Sequence, residues 1–175
     1  IKKGPKEAYY EIKDPVFKAW LAIQDIPSLG KTSIKSLVVS SLSFEAMVRE
    51  MFREITTKVE IKDFLGRKVG IEPAKVIKYA KNSIDIDALL ILNNEAIVVE
   101  CHFWGKAKRD KITQLINNAN YVEHTLGFRI KDKILVSYFG FDKQTIEVAK
   151  KENIKLLSAK ELREIQRKTK KRWGF

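Results

Sequence analysis

The sequence is short of cysteine and of long apolar runs, and both shortages exclude classes of protein. Its single cysteine, Cys101, excludes an internal disulfide framework and any zinc site built from several cysteines. No apolar run approaches the roughly 18 residues of a membrane-spanning helix, and no signal-peptide core follows the first residues. A reducing compartment, by default the cytoplasm, is the expected location, and no membrane partner is expected.

The chain also lacks an initiating methionine, internal repeats and low-complexity segments. Its 175 residues, 45% of them hydrophobic, suffice for one domain of ordinary size with a real core and some additional chain. We therefore expect a folded piece of a longer polypeptide, or a processed chain. The abundance of Ile, Lys and Glu favours a thermophilic source.

Acidic residues are too few to balance the basic ones. Lys and Arg number 34 against 22 Asp and Glu, which gives a formal net charge of +12. The long-range field of such a chain attracts polyanions, namely DNA, RNA or an anionic membrane surface. A solvated, lysine-rich surface that only maintains solubility is the alternative explanation.

Apolar periodicity predicts an alternating order of helices and strands. The first predicted elements are a short strand at 7–12, a helix opened by Asp14 and Pro15, and a helix with apolar residues from Phe44 to Ile55 that is capped by Ser41 or Ser43. Three strands follow, near 75–80, 84–92 and 96–103. The rest of the chain is predicted to form a helix at about 110–126, a strand at 133–139, a helix from near Asp142, a strand at 154–157 and a last helix opened by the capping box of residues 158–161. Such alternation after a hairpin implies a mixed sheet flanked by helices.

The strands at 84–92 and 96–103 are joined by two asparagines, which predicts a tight hairpin. Side chains along both strands alternate between two faces that are each apolar. One face has Leu89, Ile91, Ala96 and Val98, and the other has Ile86, Ala88, Leu90, Ile97 and Val99. We therefore expect the hairpin to be central in the sheet and covered by helices on both sides.

Four polar side chains fall together in the predicted register. Asp87 lies opposite Glu100 and Asp85 lies opposite His102, on one face of the hairpin. Three carboxylates at covered strand ends repel one another and resist desolvation, and a bound divalent cation would remove that difficulty. Carboxylate ligands suit Mg²⁺ or Mn²⁺ better than zinc. The alternative is a solvated strand edge whose acids pair with lysines or with His102.

The spacing of these residues resembles the signature of a nuclease superfamily. Asp87, twelve intervening residues and then Glu100, Cys101 and His102 are similar to the D…ExK motif of the PD-(D/E)xK nucleases. The resemblance spans about residues 41–165 and includes the order of the elements. It implies a restriction-endonuclease-like α/β fold, with a mixed β-sheet flanked by helices, that hydrolyses phosphodiester bonds.

The resemblance also implies roles for individual residues. In the superfamily the Asp and the Glu hold the metal, which points to Asp87 and Glu100 as metal ligands and catalytic residues here. An acid on the first helix often completes such a site, and Glu45 matches that position. The expected cofactor is Mg²⁺ or Mn²⁺.

One position departs from the motif, because His102 stands where the superfamily has a lysine. A neutral imidazole can accept a proton or bind a metal but lacks the permanent charge of an ammonium. We expect His102, or Lys106 reaching back from the following loop, to position the attacking water or protonate the leaving group. A structural histidine bonded to Asp85 is the alternative.

Basic and aromatic residues interleave just after the motif, and basic side chains there would contact phosphates. The residues assigned to nucleic-acid binding are Lys106, Lys108, Arg109, Lys111 and, on the following helix, Gln114. In the same loop Trp104, next to Phe103, either stacks on a base or belongs to the core.

A narrower resemblance covers nearly the whole chain. The segments that carry it are AYYEIKDPVFKAWL, SFEAMVREMF, IDID and VECHFW, which look similar to the C-terminal region of archaeal AAA/STAND-type ATPases. It implies that residues 1–40 are the end of a winged-helix domain and a connector, that 41–165 form the nuclease-like domain, and that 166–175 are a basic C-terminal tail. The ATPase module would then belong to the same longer polypeptide.

Three functions remain open on this reasoning. The first is a metal-dependent nuclease that acts on DNA as the C-terminal part of an ATPase. The second is a catalytically weakened nuclease fold that serves the ATPase as a DNA-binding or regulatory module. The third is a domain for protein interaction alone.

Overall fold

The structure is a computed structural model in which residues 34–57 and 75–169 are described. Its first helix is formed by the amphipathic segment that ends at residue 57. This helix, α1, comprises Ile34–Thr57. The serine caps that the sequence predicts are wrong, because α1 begins at Ile34 and both serines lie inside it. Apolar residues at Ile34, Leu37 and Val38 extend the helical spacing upstream of the expected start.

The remaining elements follow the order that the sequence predicts. They are β1 (Lys75–Lys81), β2 (Ile84–Leu92), β3 (Glu95–His102), α2 (Arg109–His124), β4 (Arg129–Ser137), α3 (Lys143–Lys151), β5 (Lys155–Ser158) and α4 (Ala159–Thr169). Residues 1–33, with the strand and helix predicted there and most of the winged-helix remnant, lie outside the described residues. The predicted boundaries after residues 40 and 165 fall inside α1 and α4.

The five strands form one mixed sheet in the order β1-β2-β3-β4-β5. Strands joined by tight turns are antiparallel, which applies to β1 with β2 and to β2 with β3. Strands joined through α2 and α3 are parallel, which applies to β3 with β4 and to β4 with β5. This mixed sheet with flanking helices fits the nuclease-like α/β fold that the sequence predicts.

Each face of the sheet packs against helices and has its own apolar core. On one face, Phe44, Met47 and Met51 of α1 join Leu162 and Ile165 of α4 over the sheet. On the other face, residues of α2 and α3 such as Leu115 and Ala149 pack on the sheet. The prediction that the hairpin is central and covered on both sides is confirmed. Within residues 34–57 and 75–169, no helix combines the length and hydrophobicity needed to cross a membrane.

Strand β2 has one irregularity that the sequence did not predict. Its register with β1 shifts between Ile77, which pairs with Leu89, and Tyr79, which pairs with Ile86. An extra residue in β2 is a β-bulge, and it reverses the side on which the preceding residues point. Ile86 therefore packs with Leu89 in the core under α2, and its predicted place on the face of Ala88 is wrong.

Two helix starts are held by side-chain caps, and of these two the sequence predicts the capping box at residues 158–161. Asp142 caps α3, where its Oδ1 accepts a hydrogen bond of 2.7 Å from the backbone N–H of Thr145. At α4, Glu161 Oε2 accepts from the backbone N–H of Ser158 at 2.8 Å, and the Ser158 hydroxyl accepts from the N–H of Lys160 at 3.2 Å. These caps fix where α3 and α4 leave the C-terminal edge of the parallel strands.

Candidate functional site

The candidate site lies where β2 separates from β3. The ladder between these strands runs from Leu92–Glu95 to Ala88–Val99, which is the predicted register, and it ends there. One residue further, Asp87 spans the gap with its side chain, and its Oδ2 accepts a hydrogen bond of 2.7 Å from the backbone N–H of Cys101.

Glu100 directly precedes Cys101 on β3, so it lies next to this contact on the opposite strand from Asp87. It pairs in register with Leu135 of β4 and is 2% exposed, while Asp87 is 7% exposed. The two carboxylates are close enough for the charge of Asp87 to act on Glu100. The structure therefore brings the two predicted metal ligands together, although Asp87 and Glu100 are not a pair of the β2–β3 ladder.

Burial raises the pKa of both carboxyl groups and so makes them weaker acids than usual. Desolvation, reinforced by the charge of Glu45, raises the pKa of Asp87 to about 7, even though the N–H of Cys101 favours its ionised form. Desolvation and the charge of Asp87 raise the pKa of Glu100 to about 8 against the opposing effect of Lys111. Because the two groups repel each other, they titrate as a pair that retains a proton near neutral pH.

Glu45 approaches the same site from α1. Its Oε2 lies 3.2 Å from Lys78 Nζ and 3.9 Å from Arg49 Nη1, and its side chain is 12% exposed. The carboxylate of Glu45 is thus already paired with cations. Its charge still reaches Asp87 and contributes to the raised pKa there.

Arg49 fixes the backbone at the bulge of β2. Its guanidinium donates a 2.7 Å hydrogen bond to the backbone carbonyl of Asp87, which lies in the segment where the β1 register is interrupted. A bulge leaves a backbone group without its ladder partner, and a buried carbonyl needs a donor. Arg49 therefore supports the backbone from which the carboxylate of Asp87 projects.

The lysine at the site comes from α2. Lys111 Nζ lies 3.0 Å from Glu100 Oε1 and 2.9 Å from Gln114 Oε1. The sequence assigned Lys111 and Gln114 only to nucleic-acid binding. A signal was available, because Lys111 shares the inward stripe of the helix with the buried residues Leu115 and Asn118, at positions i, i+4 and i+7.

His102 occupies the motif position but not the predicted pairing. Burial and the nearby charge of Lys111 lower the pKa of His102, so the imidazole is neutral at neutral pH. The predicted pairing of Asp85 with His102 is wrong. Beyond Ala88 strand β2 stays with β1, where Asp85 faces Ala80, and β3 continues along β4, where His102 faces Ser137.

Asp85 is instead a half-exposed acid on the β1 side of the opening. Its Oδ1 lies 3.4 Å from Lys78 Nζ, and its side chain is 59% exposed. Its backbone carbonyl accepts a 2.9 Å hydrogen bond from Asn118 of α2. Asp85 therefore anchors α2 through its backbone and adds negative charge at the rim of the site.

The loop lysines lie toward α3. Hydrogen bonds from Thr145 lower the pKa of Asp142, and the charges of Lys108 and Lys106 add to that effect. Lys106, Lys108 and Arg109 are all exposed. The structure thus places Lys106 near the start of α3, while the ammonium beside Glu100 is that of Lys111.

The donor set is consistent with a magnesium-type cation at the Asp87–Glu100 pair. Glu100 Oε2 is buried and has no hydrogen-bond partner, although its other oxygen is paired. A divalent cation would stabilise the ionised form of both carboxylates and would give Oε2 of Glu100 a partner. Mg²⁺ commonly binds to only one or two carboxylates. In the described ranges no three Asp, Glu, His or Cys side chains are grouped as a metal site. Direct metal binding by Glu45 stays a prediction.

Comparison with known proteins gives similarity at the level of fold. No family model and no curated protein matches the chain. Protein VC1899 from Vibrio cholerae matches 89% of this chain and 50% of its own, with 12% identity and a TM-score of 0.51. Can2 from Sulfobacillus thermosulfidooxidans, solved in complex with cyclic tetra-adenylate, matches 91% of this chain and 50% of its own, with 15% identity and a TM-score of 0.49.

A third solved structure, the EndoMS–dsDNA2 complex, matches 65% of this chain and 43% of its own, with 16% identity and a TM-score of 0.46. This chain therefore spans half or less of the length of these three solved proteins. At such low identity the similarity to VC1899 concerns the fold alone. The chemistry of the site has to be argued from the residues themselves.

Proposed function

We propose that this chain is a metal-dependent nuclease domain that hydrolyses phosphodiester bonds, with DNA as its substrate. The observation that carries the proposal is the buried pair Asp87 and Glu100, with the ammonium of Lys111 3.0 Å from Glu100 Oε1. Two carboxylates and a lysine that converge in this way are the set of groups that the PD-(D/E)xK motif requires. Here the lysine comes from a helix rather than from the motif position.

Asp87 and Glu100 would hold the cation in this site. A bound Mg²⁺ or Mn²⁺ supplies an activated water and relief of the charge that builds on the phosphate. The N–H of Cys101 fixes Oδ2 of Asp87, while Oε2 of Glu100 has no hydrogen-bond partner in the structure and could serve as a ligand of the cation.

Lys111 supplies the permanent positive charge that His102 lacks. Its ammonium has three donors, of which Glu100 and Gln114 occupy two. The third donor is available to orient the attacking water or to bind a phosphate oxygen. The neutral imidazole of His102, on the strand position after Cys101, can take up a proton during the reaction.

Charge supports nucleic acid as the substrate. The chain has a formal net charge of +12, and three exposed cations, Lys106, Lys108 and Arg109, follow β3 directly. Such cations contact phosphates without reading sequence, so they account for binding but not for sequence preference.

One observation favours a second function. Glu45 is paired with Lys78 and Arg49, and Glu100 is paired with Lys111, so two of the three carboxylates already have a cationic partner within the chain. A nuclease fold that has lost metal binding and serves as a DNA-binding or regulatory module would have the same arrangement. Metal binding and cleavage separate the two functions.

The experiment is a cleavage assay on supercoiled plasmid and on labelled single- and double-stranded oligonucleotides, with Mg²⁺, Mn²⁺ or EDTA. The isosteric variants Asp87→Asn and Glu100→Gln keep the shape of the site and remove its charge. Glu123→Gln, an exposed acid at the other end of α2, is the matched control. We expect cation-dependent cleavage that both site variants lose and the control retains.

Calorimetric titration with Mn²⁺ provides a readout that does not depend on finding the right substrate. Mn²⁺ binding that Asp87→Asn abolishes, without cleavage of any tested nucleic acid, would favour the regulatory function. If neither binding nor cleavage depends on Asp87 and Glu100, the nuclease proposal is wrong.

The attachment to an ATPase module of the same polypeptide and the cytoplasmic location also belong to this proposal. They are supported only by the sequence resemblance and by the single cysteine. Mass spectrometry of the protein purified from its source, in its native length, would test the attachment directly.

A further inference from the structure

An aromatic cluster lies at the C-terminal ends of β3 and β4, beside the acidic site. Phe139 follows β4 and is 39% exposed, which makes it one of two exposed large apolar residues in the part of the chain that is described. The other, Leu42, is on α1. Phe139 contacts the half-buried ring of Tyr138 and the buried ring of Phe103, and Phe103 also contacts the half-buried ring of Trp104. Phe139, Tyr138 and Trp104 therefore share one cluster. We call these three residues the aromatic surface.

The aromatic surface rests on buried rings that fix its geometry. Phe103 is buried, and its ring centroid lies 4.8 Å from that of Trp104 and 5.3 Å from that of Tyr138. Phe139 lies 5.1 Å from Tyr138 and meets it edge to face. Phe44 of α1 supports Phe103 at 5.4 Å. Edge-to-face packing holds each ring in one orientation, so the exposed rings need little ordering when a ligand binds.

The buried rings beneath the aromatic surface are chain neighbours of residues at the acidic site. Phe44 directly precedes Glu45, and Phe103 directly follows His102. The aromatic surface is therefore supported by the same segments that carry the acidic site. In sheets of this type, ligands bind outside the carboxyl ends of the parallel strands, which is where Trp104 and Phe139 lie.

The charge around the aromatic surface selects a polyanion. The segment 103–109, FWGKAKR, contains three cations and no acid, and Lys106, Lys108 and Arg109 are exposed. An apolar peptide partner would have no use for these cations. A nucleic-acid strand uses both features, since its phosphates pair with lysines while its bases stack on aromatic rings.

We infer that the aromatic surface binds unpaired bases of a single-stranded nucleic acid, while Lys106 and Lys108 contact the adjoining phosphates. Bases within a duplex are already stacked on each other and do not offer their faces to Trp104 or Phe139. The inference rests on the proposed function only in its consequence, which is that the strand delivered to Asp87 and Glu100 is single-stranded or frayed.

The test is fluorescence anisotropy of labelled oligothymidine, an abasic strand of equal length and a duplex of equal length, all in EDTA so that no cleavage occurs. Phe139→Leu keeps the apolar volume and removes the π face. We expect this variant to bind oligothymidine roughly tenfold more weakly, because stacking on one aromatic ring contributes on the order of that factor. Its affinities for the abasic strand and for the duplex should not change.

Leu42→Ala is the matched control, because it removes the other exposed apolar side chain and should leave all three affinities unchanged. The double variant Lys106→Met with Lys108→Met should lower the affinity for all three ligands and reduce the salt dependence of binding. Equal affinity of the wild-type chain for the abasic strand and for oligothymidine would overturn the inference. So would wild-type affinity of Phe139→Leu for oligothymidine when its melting temperature is unchanged.

The result is separable from the outcome of the cleavage assay. Base-dependent binding without any cleavage would support the aromatic surface as a single-strand binding site and contradict the nuclease proposal. Cleavage that needs Asp87 and Glu100, with no effect of Phe139→Leu on binding, would support the nuclease proposal and contradict the single-strand binding site.

Discussion

The ammonium of Lys111 lies 3.0 Å from Oε1 of Glu100, which is 2% exposed. This contact places a lysine beside the acid that we propose as a metal ligand, even though His102 occupies the lysine position of the motif. The contact crosses from α2 to β3 and is maintained by Gln114, whose Oε1 accepts from the same ammonium at 2.9 Å.

Replacing Lys111 should therefore remove activity. We expect Lys111→Met to reduce the cleavage rate by roughly 10²-fold or more, which is the range for a positioned group that acts on the proton or charge of the transition state. Mn²⁺ binding should be retained, because Asp87 and Glu100 remain. The rate is measured at saturating metal with the best oligonucleotide substrate.

Lys106→Met is the matched control for Lys111→Met, since both variants remove one lysine from the same region. The structure places Lys106 beside Asp142, so this variant should weaken substrate binding and leave the rate at saturating substrate within about threefold. A larger loss of rate in Lys106→Met than in Lys111→Met would restore the assignment made from sequence.

The hairpin turn gives a prediction about stability. Asn93 has a φ of 53°, the left-handed region that asparagine and glycine tolerate best. Asn93→Ala should lower the free energy of unfolding by about 1 kcal/mol, and Asn93→Gly should be close to neutral. Urea denaturation measures both. Asn94→Ala is the control, because Asn94 is not among the described residues with positive φ, and it should cost less than Asn93→Ala.

Most of the fold was predictable because its signals are local. The two asparagines and the alternating apolar residues predict the hairpin and its register, and the structure confirms pairs such as Leu90 with Ile97. The capping box of Ser158 and Glu161 was readable for the same reason, since it depends on residues three positions apart.

The parts that were not predictable depend on neighbours distant in the sequence. The bulge in β2 is a mismatch with β1, and neither strand alone contains a glycine or proline that marks it. Because of that mismatch, the side chain of Ile86 lies on the opposite face of the sheet from the predicted one. For the same reason, Asp85 is not paired with His102. Lys111 was missed as a site residue because its contact with Glu100 depends on how α2 crosses the sheet, which spacing along the helix suggests but does not fix.

Arg49 gives a prediction about the support of the site. Its hydrogen bond to the carbonyl of Asp87 is 2.7 Å long, and its side chain is 14% exposed. Arg49→Met should lower the free energy of unfolding by roughly 1.5–3 kcal/mol, the range for a buried hydrogen bond from a charged donor. It should also weaken Mn²⁺ binding, because the backbone from which Asp87 projects is no longer held.

Arg53, one turn further along α1, is the matched control. It donates to the carbonyl of Val76 on β1 at 3.2 Å and forms an ion pair with Glu50 on its own helix. Arg53→Met should cost some stability and leave the Mn²⁺ affinity unchanged. Equal effects of the two variants on Mn²⁺ affinity would show that Arg49 has no special role at the site, and recovery by Arg49→Lys would show that charge alone suffices.

The raised pKa values of the acidic pair predict how stability changes with pH. Desolvation raises the pKa of Asp87 to about 7 and that of Glu100 to about 8, against about 4 for such groups in the unfolded chain. Between these limits the folded state keeps protons that the unfolded state has released. Without divalent cations, stability should therefore fall as the pH rises from about 4 to about 8.

A divalent cation should reverse this trend, because only the ionised carboxylates bind it and binding stabilises the folded state. We expect Mg²⁺ to raise the melting temperature more at about pH 8.5 than at about pH 6, relative to EDTA at the same pH. The double variant Asp87→Asn with Glu100→Gln has no charge to release at this site, so it should lose both the decline with pH and the effect of Mg²⁺. A Mg²⁺ effect that persists in the double variant would place the cation elsewhere in the protein.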